Sequence, residues 1–74
     1  MDYNYTEDPY YASVVDTGLV VDDVQRFNLV IEKRVINEEP PHKTETTFYT
    51  YDIQGMSLAE VDAYTHLKIQ ELNG

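Results

Sequence analysis

Seventy-four residues make room for one small domain, and a chain of this length buries only about 60% of the surface its unfolded form exposes. It has no cysteine, so neither disulfides nor thiolate metal sites contribute, and fourteen Asp and Glu stand against five Lys and Arg, a net charge of −9. That balance excludes the basic face that direct nucleic-acid binding requires and disfavours anionic membranes. It favours a basic partner, because complementary fields steer encounter. No apolar run is long enough to span a bilayer. No basic-then-apolar leader is visible at the start either, so the expected location is the cytoplasm, or the nucleoid within it.

Residues 1–12 are acidic and rich in tyrosine: Tyr3, Tyr5, Tyr10 and Tyr11 interleave with Asp2, Glu7 and Asp8, and Pro9 interrupts any regular element. They read as a flexible arm, whose rings could rest on the chain's own domain or on a partner. Residues 13–74 read as the domain itself. Val14-Val15 and Leu19-Val20-Val21 flank Asp16-Thr17-Gly18, which predicts one or two short strands around a glycine turn. Val14-Val15-Asp16-Thr17-Gly18 also looks like the active-site loop of aspartic proteases, whose chemistry needs two carboxylates sharing a proton. Leu19 replaces the small residue that follows in that family, and no flap hairpin follows, so a turn between strands explains the motif better.

From Arg26 to Asn37, Phe27, Leu29, Ile31 and Val35 alternate with their neighbours as in a strand. Lys33 interrupts that face, which suits a place near an edge. Glu38-Glu39-Pro40-Pro41-His42 is a connection, since proline cannot donate to a ladder. Thr44 to Ile53 returns as the second arm of a hairpin, with Tyr49, Tyr51 and Ile53 on one face and Phe48 on the other.

Gly55 to Gly74 carries the sharpest local signal. Ser57 and Glu60 have the spacing of a capping box, and Met56 with Val61 has that of a hydrophobic staple. Leu58, Val61, Tyr64, Thr65, Ile69 and Leu72 form one helical stripe, and Gly74 suits the helix end. Ala63 and Leu67 lie opposite, a second apolar face. The expected fold is α+β: a three-stranded antiparallel sheet with a hairpin core, packed by one C-terminal helix.

Candidate chemistry is sparse. His42 and His66 lack partners at metal-ligand spacing, no glycine-rich phosphate loop occurs, and Glu60 serves as a cap. The chain is therefore read as a non-enzyme without cofactor or metal. Charge remains: −6 over residues 1–25, 0 over 26–51 and −3 over 52–74. Carboxylates accept from Lys and Arg as phosphates do, so a rigid row of them can imitate DNA.

A resemblance points the same way. Phe48-Tyr49-Thr50-Tyr51 and Gly55-Met56-Ser57-Leu58-Ala59-Glu60-Val61-Asp62 resemble the small phage-encoded uracil-DNA glycosylase inhibitor family, acidic dimeric DNA mimics with a Tyr-rich strand before a Ser-Leu-acidic helix start. That likeness implies a phage protein of host takeover, a homodimer, with a uracil-DNA glycosylase as target; phage inhibitors of histone-like nucleoid proteins are similar in size and acidity, which makes such a protein the other expected target. It also implies that Val61 stands where the family places an aromatic against its enzyme, with Asp62 as the following acid. The carboxylates expected to meet a basic host protein are Asp22, Asp23, Glu60, Asp62 and Glu71, then Glu7, Asp8 and Asp16. The apolar residues expected at a partner or dimer contact are Val61, Tyr64 and Leu67. The other reading is an acidic adaptor or structural module that binds protein through its helix or arm without mimicking DNA.

Overall fold

The computed structural model describes residues 2–74. Four antiparallel strands, β1 (Asn4–Glu7), β2 (Tyr10–Val21), β3 (Val24–Ile36) and β4 (Thr44–Asp52), pair in chain order, and α1 (Leu58–Asn73) follows. The class is α+β as expected, but the sheet has one more strand. The extra strand is the supposed arm. Asn4–Glu7 pairs with Tyr10–Ser13 of β2, the Asp8-Pro9 turn joins them, and Tyr10 is 1% exposed in the core. Tyr3-x-Tyr5 was period-2 alternation, and the following Asp-Pro was its turn.

A second correction concerns Asp16-Thr17-Gly18. It is an irregularity inside β2, where the register with β3 shifts between Asp16 and Val20 and Gly18 takes φ +75°. Asp16 accepts from the Gly18 amide at 2.9 Å, and Thr17 accepts from the Leu19 amide at 3.1 Å. The chain reverses later, at Asp22-Asp23, with φ of 51° and 61° between the closing pair Val21 and Val24. Left-handed geometry at both central residues matches the twist of a two-residue hairpin, and Asp tolerates it better than most side chains. Lys33 lies on an interior strand, between Tyr10 and Thr47, with its ammonium 5.7 Å from the Tyr10 ring centre.

The helix begins as its sequence dictates. Ser57 Oγ accepts from the Glu60 amide, the Glu60 carboxylate accepts from the Ser57 amide, and both distances are 3.3 Å. At the far end the Gly74 amide donates to the Gln70 carbonyl at 3.0 Å. Val61, Thr65 and Ile69 are buried, and Thr65 donates its hydroxyl to the Val61 carbonyl at 2.8 Å. They close over Tyr10, Ala12, Leu29, Ile31 and Ile53. Met56 and Leu72 pack at the margins, while Leu58, counted on the stripe, is 52% exposed.

Because paired residues share a face, the register fixes what each side of the sheet carries. The helix side holds Tyr3, Tyr5, Tyr10, Ala12, Val14, Phe27, Leu29, Ile31, Tyr49 and Tyr51. The opposite side, here called the open face, is covered by no other element among the described residues. The β2–β3 hairpin runs on past the helix, and the molecule measures 50 × 23 × 18 Å. Among the described residues no helix is long and apolar enough to cross a membrane.

Leu29 is fully buried on the central strand beneath the helix. Leu29→Ala should cost about 2–5 kcal/mol, a large share of what so small a domain possesses. Ser57→Ala should cost about 1 kcal/mol through the lost cap. Urea unfolding followed by circular dichroism measures both, and a smaller loss for Leu29→Ala than for Ser57→Ala would contradict this core.

Candidate functional site

The carboxylates are not spread evenly. On the open face Asp52 lies 3.5 Å from Arg26, and Glu32 is paired with Arg34, so each acid there has a guanidinium. Arg34 also stacks on the Tyr11 ring, 4.1 Å from its centre. The helix layer differs. Glu7, Asp16 and Glu45 point to that side from the sheet, Glu60, Asp62 and Glu71 ride on the helix, and all six are exposed. Among the described residues, only Lys33 and Lys68 bring lysine or arginine charge to that side. Asp22 and Asp23 form the hairpin tip, Asp8 lies in the β1–β2 turn, and Glu38 and Glu39 are in the β3–β4 loop.

Tyrosines hold the helix acids in place from both outer strands. On one flank Tyr3 donates its hydroxyl to Asp62 Oδ1 at 2.7 Å, and His66 Nε2 approaches the same oxygen at 3.5 Å. The Tyr5 ring lies against His66, centres 4.6 Å apart, and its hydroxyl donates to Glu7 at 3.1 Å. On the other flank Tyr51 meets Tyr64 edge-on at 5.7 Å. Lys68 reaches over both rings, 5.4 and 5.1 Å from their centres, and binds Glu71 at 3.0 Å. These contacts pre-orient Asp62, Glu7 and Glu71, so less side-chain entropy remains to be lost on binding.

The expected site residues therefore separate into groups. On the helix, Asp62 lies on the β1 flank with Glu7 on the sheet beside it, while Glu71 lies on the opposite, β4 flank, and Glu60 caps the helix start. Asp8 is at one end of the molecule. Asp22 and Asp23 are at the tip of the projecting hairpin, six residues beyond Asp16, or roughly 15–20 Å at strand rise. The set follows the long axis instead of gathering in a patch. Val61 is a correction: it is 0% exposed, locked against the sheet, and reaches no partner. Its place on the buried stripe outweighs its place in the motif. Tyr64 is half-buried beside Tyr51, and Leu67 is 50% exposed on the outer helix face. Tyr3 and Tyr5 are the functional side chains that composition concealed, and their alternation was the available signal.

The phenols report this packing. Partial burial raises Tyr3 above the ordinary tyrosine value, and its bond to Asp62 adds to that. Desolvation, then the bond to Glu7, raises Tyr5, and desolvation raises Tyr51 against the lowering effect of Lys68. The Glu71 bond raises Lys68. A group raised on folding contributes stability below its unfolded value and loses it as pH climbs through the folded one. Stability should therefore fall as pH rises above about 10. Absorbance titration of the seven tyrosines should show a late-ionising subset that disappears in urea. A single normal transition for all seven would contradict these contacts.

No family model matches this chain, and comparison with curated proteins and with solved structures likewise finds nothing significantly similar.

Proposed function

We propose that this chain is an acidic DNA mimic, of the kind phages use to inhibit a host DNA-binding protein by occupying its DNA site. It acts in the host cytoplasm or nucleoid, and it acts by occupancy, with no catalytic step. The observation that carries this reading is the segregation of charge. The open face is balanced, whereas the helix layer and both ends hold the excess of carboxylates on a scaffold 50 Å long. Leaving out the two on the balanced face, twelve of the fourteen carboxylates over that length average one per about 4 Å, against the ~3.4 Å spacing of charges along one DNA strand. The 23 × 18 Å cross-section is comparable to the girth of a duplex. Tyrosines at the base of the acidic layer supply apolar contact that phosphates lack, which favours the mimic over DNA once the lysines and arginines of the target are engaged.

A histone-like nucleoid protein or a uracil-DNA glycosylase is the target class this reading favours. Both grip the phosphate backbone with basic side chains, and an exposed, fixed row of acids addresses that property alone.

The adaptor reading draws support from one different observation. Leu19 and Val20 on the hairpin and Leu67 on the helix are 62%, 65% and 50% exposed, which is more apolar surface than solubility asks for. The two readings separate in a binding experiment. Asp22→Asn/Asp23→Asn keeps a residue type that accepts left-handed backbone, and Asp62→Asn/Glu71→Gln keeps the acceptors of the helix flank. For a mimic, each pair should weaken binding to such a protein by about tenfold, roughly 1.4 kcal/mol, and flatten its salt dependence. If salt and charge change nothing while Leu67→Ala abolishes binding, the chain is an adaptor.

A further inference from the structure

The open face of the sheet is the largest feature that the acidic reading leaves unused. It carries Val15, Leu19, Val21, Val24, Ile36 and Phe48, which are 46%, 62%, 44%, 44%, 66% and 63% exposed. Six large apolar side chains exposed on one face are more than scattered surface residues, and apolar surface rimmed by polar groups marks an interaction site. Between these residues lie the two arginine–carboxylate pairs and a shallow groove of ≈ 450 Å³ lined by Tyr11, Val15, Val30 and Phe48 among others.

Charge narrows the choice of occupant. A partner selected for basic character would find balanced charge here and excess acid elsewhere. A second copy of this chain, itself at −9, is repelled by every surface except this one. The order of side chains along β3 supplies the rest. The open face of that strand reads Val24, Arg26, Asn28, Val30, Glu32, Arg34, Ile36. About Val30 the pattern is nearly symmetric: apolar ends, an arginine four residues out on each side, and an apolar centre. Asp52 stands beside Arg26 at one end as Glu32 stands beside Arg34 at the other.

From this pattern we infer that the protein forms a homodimer through the open face, two sheets packed face to face with their strands antiparallel about Val30. A two-fold axis there sets Val24 of one copy over Ile36 of the other, and each arginine pair over its counterpart, where Arg34 can exchange its carboxylate for Asp52 of the second copy. It sets Val15 near Tyr11 of the second copy. Strand against strand in the opposite sense would bring arginine to arginine as well, but it would set Glu32 on Glu32 and carry Asp52 of the second copy away from Arg34. Four strands about 4.8 Å apart, with the hairpin extension, offer roughly 600–800 Å² per chain. A standard stable interface needs about 800 Å² per partner. Sheets in such sandwiches lie about 10 Å apart with strand directions within about 30°, so the register is approximate and the ends still meet. The pairing places the two acidic helix layers on opposite outer sides, where they repel least.

This inference is independent of DNA mimicry, because its readout is mass alone. Sedimentation of the full chain at about 100 µM should give a species of twice the 8.6 kDa chain mass, with Kd below that concentration. Val15→Glu and Phe48→Glu, both at exposed positions, should weaken the dimer at least about a hundredfold while leaving the circular dichroism spectrum intact. Leu67→Glu on the helix should leave it dimeric. The chain lacks cysteine, so register can be probed directly. Val24→Cys/Ile36→Cys should be cross-linked into dimers by a short bismaleimide, and Ile36→Cys alone should not. A monomer at that concentration would overturn the inference. So would a dimer that survives both glutamates, one lost only with Leu67→Glu, or efficient cross-linking through Ile36→Cys alone.

Discussion

Val61, Thr65 and Ile69 close over Leu29 and Ile31, and this one-sided contact between helix and sheet decides which surface of the molecule meets water. A chain this short has one helix to spend on one face. Each large side chain it buries contributes roughly 1.5–3 kcal/mol, and there are few of them, so no second layer can be built from the same chain. The capping box at Ser57 and Glu60 sets where the helix begins, and the turn through Gly55, with φ +82°, brings it back across β3. Everything on the covered side then divides into what lies beneath the helix and what is lifted outward by it.

That division places the charge. Carboxylates on the helix and on the sheet strands flanking it stand in one layer, where Tyr3 binds Asp62, Tyr5 binds Glu7, and Lys68, lying over Tyr51 and Tyr64, binds Glu71. On the other side of the same sheet each acid has an arginine. Solubility alone would be served by acids on both faces. The observed asymmetry supports a molecule with two different surfaces for two different kinds of contact, one for a basic partner and one for a neutral, apolar one. Backbone alternation makes this possible: in β3 the same stretch offers Leu29 and Ile31 to the core and Val30, Glu32 and Arg34 to the opposite side.

Much of this was legible in the residues, and the failures have physical causes. The helix announced itself because caps, periodicity and the absence of breakers agree. The β3–β4 hairpin was clear because long β-branched and aromatic runs flank a double proline. β1 was hidden because four residues, Asn4–Glu7, carry little propensity of their own; Tyr5 in the strand and Tyr3 just before it are held by packing against His66 and Asp62, a tertiary gain that their brief alternation only hints at. The β2–β3 turn was misplaced because glycine is the stronger turn signal and Asp-Asp a weak one, yet Gly18 is used for a bulge and two aspartates take the left-handed positions. Val61 was assigned by its place in a motif, when its place on the stripe already put it inside. Of the candidate site, the identity of the acids could be read, but their sorting between two faces required the register.

The most direct test of DNA mimicry is competition. The full chain, immobilised and exposed to a bacterial lysate, is washed and then challenged with excess duplex DNA at constant ionic strength. Mimicry predicts that the duplex releases a basic DNA-binding protein, because both ligands claim one site. Proteins that stay bound through the duplex, and leave only when the apolar residues of the helix or hairpin are changed, would contradict it.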